Sequence, residues 1–249
     1  MVSDSCAHYN RTLARRQARY AMNVPEVSLS LFEVLHSSET ADAASALDRG
    51  GLAVYPTETF FGLGCRADRA EAVLRVFEAK RRKPDMPLPV ILGSAEQLEL
   101  VACPAPGTGS DLADLTAFWP GPFTLLLPVR PGLPEALTGG TGRIALRVSS
   151  HPSARALAEA CAFPIVSSSA NISGRAPVTS AEELDAELLS SLRPGLDCVF
   201  LPPSCPAPGG GLPSTIVEPL GSRRLLVRRE GALPLATLAE AGFSFSFPQ

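Results

Sequence analysis

From residue 40 onward, short apolar segments alternate with segments that repeat at helical spacing. Leu52–Tyr55 is an apolar run followed by Pro-Thr, which is typical of a buried strand, and Arg69–Arg82 carries Val73, Val76 and Phe77 on one helical face. The same patterns predict strands at Leu88–Leu92, Phe123–Leu127, Arg143–Val148, Ile165–Ser168, Cys198–Leu201, Thr215–Glu218 and Arg224–Val227. They predict helices at Ala41–Asp48, Ser110–Phe118, Pro152–Cys161 and Ala181–Leu192, the last with a capping box at Thr179 or Ser180. This alternation predicts one α/β domain.

The two ends of the chain differ from this pattern. The first residues show no apolar period and carry Arg11, Arg15, Arg16 and Arg19 against a single acid, Asp4. A transit peptide, an upstream extension with Met22 as the true start and an unanchored tail all fit this composition. We predict a flexible tail over residues 1–27 and a folded domain over residues 28–249. At the other end, residues 243–247 alternate Phe and Ser, which predicts an edge strand.

Composition narrows the class of protein. The 249 residues are 45% hydrophobic and carry a net charge of −3, which predicts a folded chain. Pro and Gly interrupt every apolar run before the ~18 residues of a membrane span, so we expect no membrane segment. The mild acidity argues against general nucleic-acid binding but leaves room for a local basic patch. Of the 22 basic residues only Lys80 and Lys83 are lysines, so one of them is a candidate for a site that requires an ammonium.

The six cysteines do not form a recognisable metal or disulfide pattern. None lies in a C-x-x-C pair and the chain has no His-rich segment, which argues against a zinc site. A chain of this length does not need disulfides to fold, so we expect reduced thiols and a cytoplasmic location.

Three segments carry candidate chemistry. Thr57, Glu58 and Thr59 follow a predicted strand, and open α/β sheets bind ligands at the carboxyl ends of their strands. An ordinary turn has the same composition. Lys80 continues the stripe of the preceding helix, where a charge needs a partner or a polar cavity, and Arg82 lies two residues on. Both cations also suit a helix C-terminus or a solvated surface.

The third segment is Ser167–Gly174, which follows a predicted strand. Its small hydroxyls, amide and glycine suit an anion that is bound through backbone N–H groups and side-chain donors, although a polar loop looks alike. It contains no P-loop motif, and no dinucleotide-binding glycine pattern opens a helix elsewhere in the chain.

Taken in order, these segments resemble the YrdC/TsaC family of threonylcarbamoyl-AMP synthases, from about Ala41 to Leu233. The matching motifs are P-T-x-T-x-x-G-L-G at 56–64, K-x-R at 80–82 with Pro87-Leu88, P-G-P-x-T at 120–124, R-V-x-x-H-P at 147–152, S-A-N-x-S-G at 169–174, S-T-I-V at 214–217 and R-x-G at 229–231. The resemblance implies a single YrdC-like domain in its short form, with a twisted mixed sheet, flanking helices and a basic concave face.

The resemblance also implies an activity. The family condenses L-threonine, bicarbonate or CO2 and ATP into threonylcarbamoyl-adenylate and pyrophosphate, with Mg²⁺ carried by ATP and not by a metal site of the protein. A partner complex then transfers the threonylcarbamoyl group to adenosine in tRNA. Such chemistry needs no protein nucleophile, because the enzyme has to position two anions and neutralise charge as pyrophosphate leaves.

Residue roles carry over motif by motif. The resemblance implies Lys80 and Arg82 as catalytic residues. The implied ATP-binding residues are Lys80, Arg82, Arg143, Ser169, Asn171 and Arg229. The implied threonine-binding residues are Thr57, Thr59, Arg147, Ser167 and Ser214, with the contribution of each Thr left open. A bidentate guanidinium at Arg147 suits the threonine carboxylate. We expect His151, which precedes Pro152 at a helix start, to be structural.

Three positions depart from the family pattern, and two other functions remain open. Met86 stands where Asn is common, Arg143 where Thr is common and Lys83 where Pro is usual.

One alternative function is that of a carbamoyltransferase with a YrdC-type domain. The other is an RNA-binding or ribosome-maturation factor that uses the same basic cleft, and a weak RNA contact would also suit the synthase. The low aromatic content of 6% argues against the RNA-binding factor.

Overall fold

A computed structural model describes residue 31 and residues 35–248 of the chain. The tail predicted over residues 1–27 lies outside the described residues, and the boundary at residue 28 stays a prediction. Within the described part, no helix has both the length and the apolar composition that crossing a membrane requires.

Helices and strands alternate along the described residues. The α-helices are α1 (Thr40–Asp48), α2 (Ala70–Lys80), α3 (Leu98–Val101), α4 (Gly109–Thr116), α5 (Pro152–Ala160), α6 (Ala186–Ser190) and α7 (Leu235–Glu240). The strands are β1 (His36–Ser37), β2 (Ala53–Pro56), β3 (Phe61–Gly64), β4 (Val90–Leu92), β5 (Phe123–Pro128), β6 (Arg143–Val148), β7 (Ile165–Val166), β8 (Ser168–Ser169), β9 (Cys198–Phe200), β10 (Thr215–Gly221), β11 (Arg224–Arg229) and β12 (Ser244–Ser246). Short 3-10 turns cover Ala95–Gln97, Glu135–Leu137 and Ala181–Glu183.

The strands form two mixed sheets in the part of the chain that is described. One has the order β1-β9-β2-β3-β8 and the other has the order β12-β11-β10-β5-β6-β4-β7. Both combine parallel pairs, such as β2 with β9 and β4 with β6, with antiparallel ones. The predicted α/β class is therefore confirmed, with two sheets where one was expected, whereas the concave basic face stays a prediction.

Strand β2 packs against a hydrophobic core on each of its two faces. All four of its residues are buried, as the apolar run predicts. Val54 faces the larger core, which includes the apolar stripe of α2, while Ala53 and Tyr55 face a smaller core formed with α1 and α5. The period of two along a strand explains this division, because successive side chains point to opposite faces.

Helix α2 ends two residues earlier than its pattern predicts. Arg81 adopts a left-handed conformation (φ 50°, ψ 40°), and the N–H of Arg82 donates to the carbonyl of Phe77 at 2.9 Å. These bonds close the helix in the manner of a glycine-type C-cap, although no glycine is present. Lys80 is thus the last helical residue, and Arg82 belongs to the loop that follows.

The structure adds one strand that was not predicted, corrects one helix and confirms one edge strand. Residues 61–64, for which no strand was predicted, form β3 and pair antiparallel with β2. The helix predicted at 181–192 is divided into a 3-10 turn and α6, because Asp185 caps α6 and Ser180 bonds the Glu182 side chain instead of forming a capping box. The edge strand predicted near the C-terminus is confirmed as β12, which pairs with β11.

The predicted strand Ile165–Ser168 is also divided. Ile165 and Val166 pair with β4 in the larger sheet, whereas Ser168 and Ser169 pair with β3 in the smaller one. Between them, the N–H of Ser167 donates to the carbonyl of Pro89 at 2.8 Å. This segment therefore passes from one sheet to the other and joins them.

Candidate active site

Lys80 lies inside the protein, as its place on the helical stripe predicts. Its side chain is 1% exposed, and its ammonium donates to the backbone carbonyls of Ser169 and Asn171, the latter at 2.6 Å. Burial, and then the charge of Arg82, lower the pKa of Lys80 to about 8. Lys83 is exposed, as expected. The buried ammonium thus holds the S-A-N loop and has one N–H left for a ligand.

The S-A-N-x-S-G loop places unpaired polar atoms beside this lysine. Asn171 is 7% exposed and its amide nitrogen donates to the carbonyl of Arg175 at 2.7 Å. The Oδ1 of Asn171 and the Oγ of Ser173 are buried and have no hydrogen-bond partner within the described chain. Because buried polar groups are normally hydrogen-bonded, this pair marks a place where a ligand can bind.

Arg82 borders the same region from the loop after α2. Its Nη2 donates to the carbonyl of Pro87 at 3.0 Å and its Nε to the carbonyl of Met86 at 3.4 Å. Partial burial lowers the pKa of this guanidinium. The side chain of Met86 is 45% exposed, and its effect on a nucleotide stays a prediction.

A second, largely buried cation, Arg147 on β6, lies in an ion pair that the sequence pattern did not predict. Its Nη1 pairs with Oε1 of Glu58, and Oε2 of Glu58 accepts a hydrogen bond from Ser149. The side chains of Arg147 and Glu58 are 11% and 13% exposed, respectively. One feature of the sequence could have indicated this pair. Glu58 lies between Thr57 and Thr59, two residues that were already expected to bind an amino acid.

The hydroxyls around this pair differ in their availability. Thr57 is buried and its Oγ1 donates to the carbonyl of Phe60 at 2.7 Å, so this hydroxyl stabilises the β2–β3 turn. Thr59 is half-buried and its Oγ1 lies 3.4 Å from that of Thr57. Ser167 is 8% exposed and lies beside the Tyr55 hydroxyl, which donates to the carbonyl of Val166 at 3.0 Å. Burial raises the pKa of Tyr55, and the nearby charge of Arg147 opposes that rise.

Ser214 and Arg229 contact each other beside this second cation. Arg229 donates through Nη2 to the carbonyl of Ser214 at 2.9 Å, and Thr124 donates to the Ser214 hydroxyl at 2.8 Å. Partial burial lowers the pKa of Arg229, and the charge of Arg147 lowers it further. Arg143, four residues before Arg147 on β6, pairs instead with Glu218 at 2.8 Å.

A Pro/Gly loop, residues 202–213, is fastened to the Glu58 turn. The N–H of Gly209 donates to the carbonyl of Glu58 at 3.1 Å, and that of Gly210 to the carbonyl of Thr59 at 2.7 Å. His151 caps α5 by accepting from the N–H of Ser153, so its other ring nitrogen donates to the carbonyl of Pro206 at 3.0 Å. These contacts agree with the structural role expected for His151.

All of the predicted site residues except Arg143, which pairs with Glu218, form two neighbouring groups. One group contains Lys80, Arg82, Ser169 and Asn171. The other group contains Thr57, Thr59, Arg147, Ser167, Ser214 and Arg229. A separate cavity of about 340 Å³ is lined by residues of β1, α1 and 195–198, and it includes none of the predicted site residues.

The chain is similar in sequence to proteins of one family. A family model described as "Telomere recombination", covering Sua5, YciO and YrdC proteins, matches residues 45–231. The chain is 38% identical over 197 residues to a threonylcarbamoyl-AMP synthase of Pyrococcus abyssi, and this match covers 78% of the chain and 54% of that relative. It is 38% identical over 162 residues to a Xanthomonas campestris protein of the same name, covering 65% of the chain and 87% of that relative.

A solved structure is similar to this one along most of the chain. The P. abyssi Sua5 protein complexed with L-threonine superposes with a TM-score of 0.72 at 34% identity, and the match covers 83% of this chain and 58% of that one. The chain thus spans little more than half the length of its P. abyssi relative. Because the family model covers most of the sequence and includes both groups of buried polar residues, the chain belongs to the Sua5/YciO/YrdC family.

Proposed function

We propose that this chain is an L-threonylcarbamoyladenylate synthase, a nucleotidyltransferase that joins L-threonine, bicarbonate or CO2 and ATP and releases pyrophosphate. The observation that carries this proposal is the presence of two cations, the buried Lys80 and the largely buried Arg147, in motifs shared with relatives that are named threonylcarbamoyl-AMP synthases. A reaction between two anionic substrates needs two such positions, because each anion must be held close to the other against their repulsion.

The nucleotide would bind in the Lys80 group. The remaining N–H of Lys80, the guanidinium of Arg82 and the Ser169–Asn171 loop would contact the phosphates, with Arg229 nearer the other substrate. Arg143 is also proposed to bind ATP, although its positive charge is partly neutralised by the ion pair with Glu218. Lys80 and Arg82 would act catalytically by neutralising negative charge as pyrophosphate departs.

L-threonine would bind in the Arg147 group. Its carboxylate suits the guanidinium of Arg147, and Ser167 and Ser214 offer hydroxyls on either side. Thr57 already donates within its turn, which favours Thr59 as the hydroxyl that contacts the substrate. The solved relative complexed with L-threonine supports an amino-acid site in this fold.

The remaining parts of the proposal concern the metal, the partner and the location. Mg²⁺ would be held by the ATP phosphates, where it neutralises charge, and oxygen donors such as Asn171 Oδ1 and Ser173 Oγ suit its preference. The product would pass to a complex that modifies tRNA, which allows a weak RNA contact. The five cysteines in the described chain are free thiols, which supports the cytoplasm as the location.

The decisive experiment supplies ATP, Mg²⁺, labelled bicarbonate and a panel of amino acids to the whole chain, with mass detection of the adenylate. We expect a labelled threonylcarbamoyl-adenylate, with Ser used less well and Val poorly. A site that pairs the substrate hydroxyl leaves polar groups unpaired when an isostere lacks it. Equal turnover of Val, or no adenylate with any amino acid, would contradict the proposal.

The two alternative functions give different results in simple assays. An RNA-binding factor would retain labelled RNA on a filter with a steep dependence on salt concentration. A carbamoyltransferase would form a carbamoyl-adenylate from carbamoyl phosphate without an amino acid. The curated relatives described above favour neither alternative.

A further inference from the structure

The ion pair between Arg147 and Glu58 is unexpected in a site that would bind a carboxylate. If Arg147 served to attract the threonine carboxylate alone, a second carboxylate beside it would compete with the substrate. Glu58 is nevertheless bound to Arg147 through one oxygen and to Ser149 through the other, with both charged side chains largely buried. The pair therefore needs an explanation that includes the whole substrate.

An amino acid carries two charges, and the ion pair offers one partner for each. The α-carboxylate and α-ammonium of the substrate lie two bonds apart. Inserted between Arg147 and Glu58, they would replace one buried ion pair with two and leave the net charge of the site unchanged. A bare Arg147 would take up the carboxylate but leave the ammonium buried without a partner, which is costly.

The surroundings of Glu58 keep it in place when Arg147 turns to the substrate. Ser149 is fully buried and its Oγ also accepts from the N–H of His151 at 3.2 Å, so its position is fixed from two sides. The Glu58 carbonyl is held by Gly209 in the Pro/Gly loop. The carboxylate would therefore keep its orientation after it loses its guanidinium partner.

We propose that Glu58 receives the α-ammonium of the substrate and accepts the proton that this group must lose before it can react. This inference rests on the proposed synthase function. The carboxylate of Glu58 takes one proton, which leaves a neutral amine. The amine nitrogen then bonds to the carbon of bicarbonate, the C–OH bond breaks, and a second amine proton joins the departing hydroxide as water. The product is a carbamate, and Glu58 returns its proton to solvent.

The test compares L-threonine with (R)-3-hydroxybutyrate, which has the same carboxylate and hydroxyl but no amine. Calorimetry measures the binding of each to the whole chain, to Glu58→Gln and to Glu58→Asp. The exposed Glu99→Gln on α3 serves as the matched control. We expect wild type and Glu99→Gln to bind threonine at least about tenfold more tightly than the amine-free acid, because a hydrogen bond to a charged group contributes that much.

In Glu58→Gln this preference for threonine should largely disappear, and adenylate formation should fall more than about tenfold while the KM for ATP changes less than about twofold. Glu58→Asp, which keeps the charge, should retain the preference. If Glu58→Gln proves unstable, Glu58→Asp decides, because loss of the preference there would contradict the proposal.

Other outcomes separate this inference from the proposed function. Equal preference in wild type and Glu58→Gln would show that Glu58 does not meet the ammonium. Tighter binding of both acids by Glu58→Gln would show that Glu58 merely competes for Arg147. Either result would leave adenylate synthesis by wild type intact, whereas its absence would contradict the proposed function and this inference together.

Discussion

The cations of the two candidate ligand regions, Lys80 and Arg147, have different partners. Lys80 donates to neutral backbone carbonyls, and no carboxylate of the described residues forms an ion pair with it, so its positive charge stays uncompensated. Arg147 is paired with Glu58, so its own charge is compensated before any ligand arrives. The difference indicates that the first region suits a polyanion such as a triphosphate, and the second a zwitterion such as an amino acid.

Replacing Lys80 should have the largest effect. Removal of a single electrostatic donor elsewhere lowers kcat roughly 100- to 1,000-fold, and we expect Lys80→Ala to do the same in a pyrophosphate-release assay. Lys80→Arg should restore activity only in part, because a guanidinium is larger and forked. Turnover close to that of wild type in Lys80→Ala would contradict the role given to this region.

The matched control for Lys80 is the exposed Lys83, three residues along the chain. Lys83→Ala should leave activity and the free energy of unfolding nearly unchanged, within about 0.5 kcal/mol. Lys80→Ala, by contrast, leaves the carbonyls of Ser169 and Asn171 without their donor and should lower the unfolding free energy by roughly 1–3 kcal/mol. Circular dichroism in denaturant measures both, and the reverse order would identify Lys83 as the important lysine.

Replacing Arg147 in the second region should weaken the binding of threonine more than the binding of ATP. Arg147→Met leaves the largely buried Glu58 unpaired, so the KM for threonine should rise roughly 10- to 100-fold while that for ATP changes little. The double variant with Glu58→Gln should be more stable than Arg147→Met alone, because no buried charge is left without a partner. Equal loss of ATP and threonine binding would show that the two regions are not separate.

The pH dependence of ATP binding should distinguish the two cations further. The pKa of Lys80, lowered to about 8, means that its ammonium loses its proton between pH 7 and pH 9 in the folded protein without ligand. ATP affinity should therefore fall by up to about tenfold across that interval. Lys80→Arg should remove this inflection, and an unchanged ATP profile in wild type would show that the charge is not used.

The free energy of unfolding should also depend on the ionisation of Lys80, but it should rise with pH where ATP affinity falls. The folded pKa of Lys80 lies below its ordinary value of 10.5, so the unfolded chain binds more protons between these two values. The ionisation of Lys80 therefore makes an unfavourable contribution to the unfolding free energy at neutral pH, beside the favourable hydrogen bonds of its side chain, and this contribution improves as the pH rises above about 8. Comparing denaturant midpoints of wild type and Lys80→Met from pH 7 to pH 10 measures this contribution.

Arg143 should have the smallest effect. Its guanidinium pairs with Glu218, which Arg228 contacts through the other carboxylate oxygen at 2.7 Å. Because Arg228 can still neutralise Glu218, we expect Arg143→Ala to change the KM for ATP by less than about twofold. A larger change would give Arg143 a direct part in binding the nucleotide.

Local patterns in the sequence predicted what depends on neighbours along the chain. Lys80 follows Val73, Val76 and Phe77 at i+7, i+4 and i+3, and this spacing correctly predicted that Lys80 is buried. Apolar runs correctly predicted most of the strands. The pairing of Glu58 with Arg147 joins residues 89 positions apart, and no periodicity reports such a contact. The helix at 181–192 was predicted too long because Asp185 provides a cap that local spacing alone did not favour over Ser180.

The segment that joins the two sheets also links the two ligand regions thermodynamically. Its Ser169 carbonyl receives the Lys80 ammonium, and its Val166 carbonyl receives the hydroxyl of Tyr55, next to Ser167 and Arg147. If the proposed nucleotide binds at one end of this short extended segment and the proposed amino acid at the other, a shift of the segment would change both regions. By linkage, any factor by which ATP changes the affinity for threonine is the factor by which threonine changes the affinity for ATP.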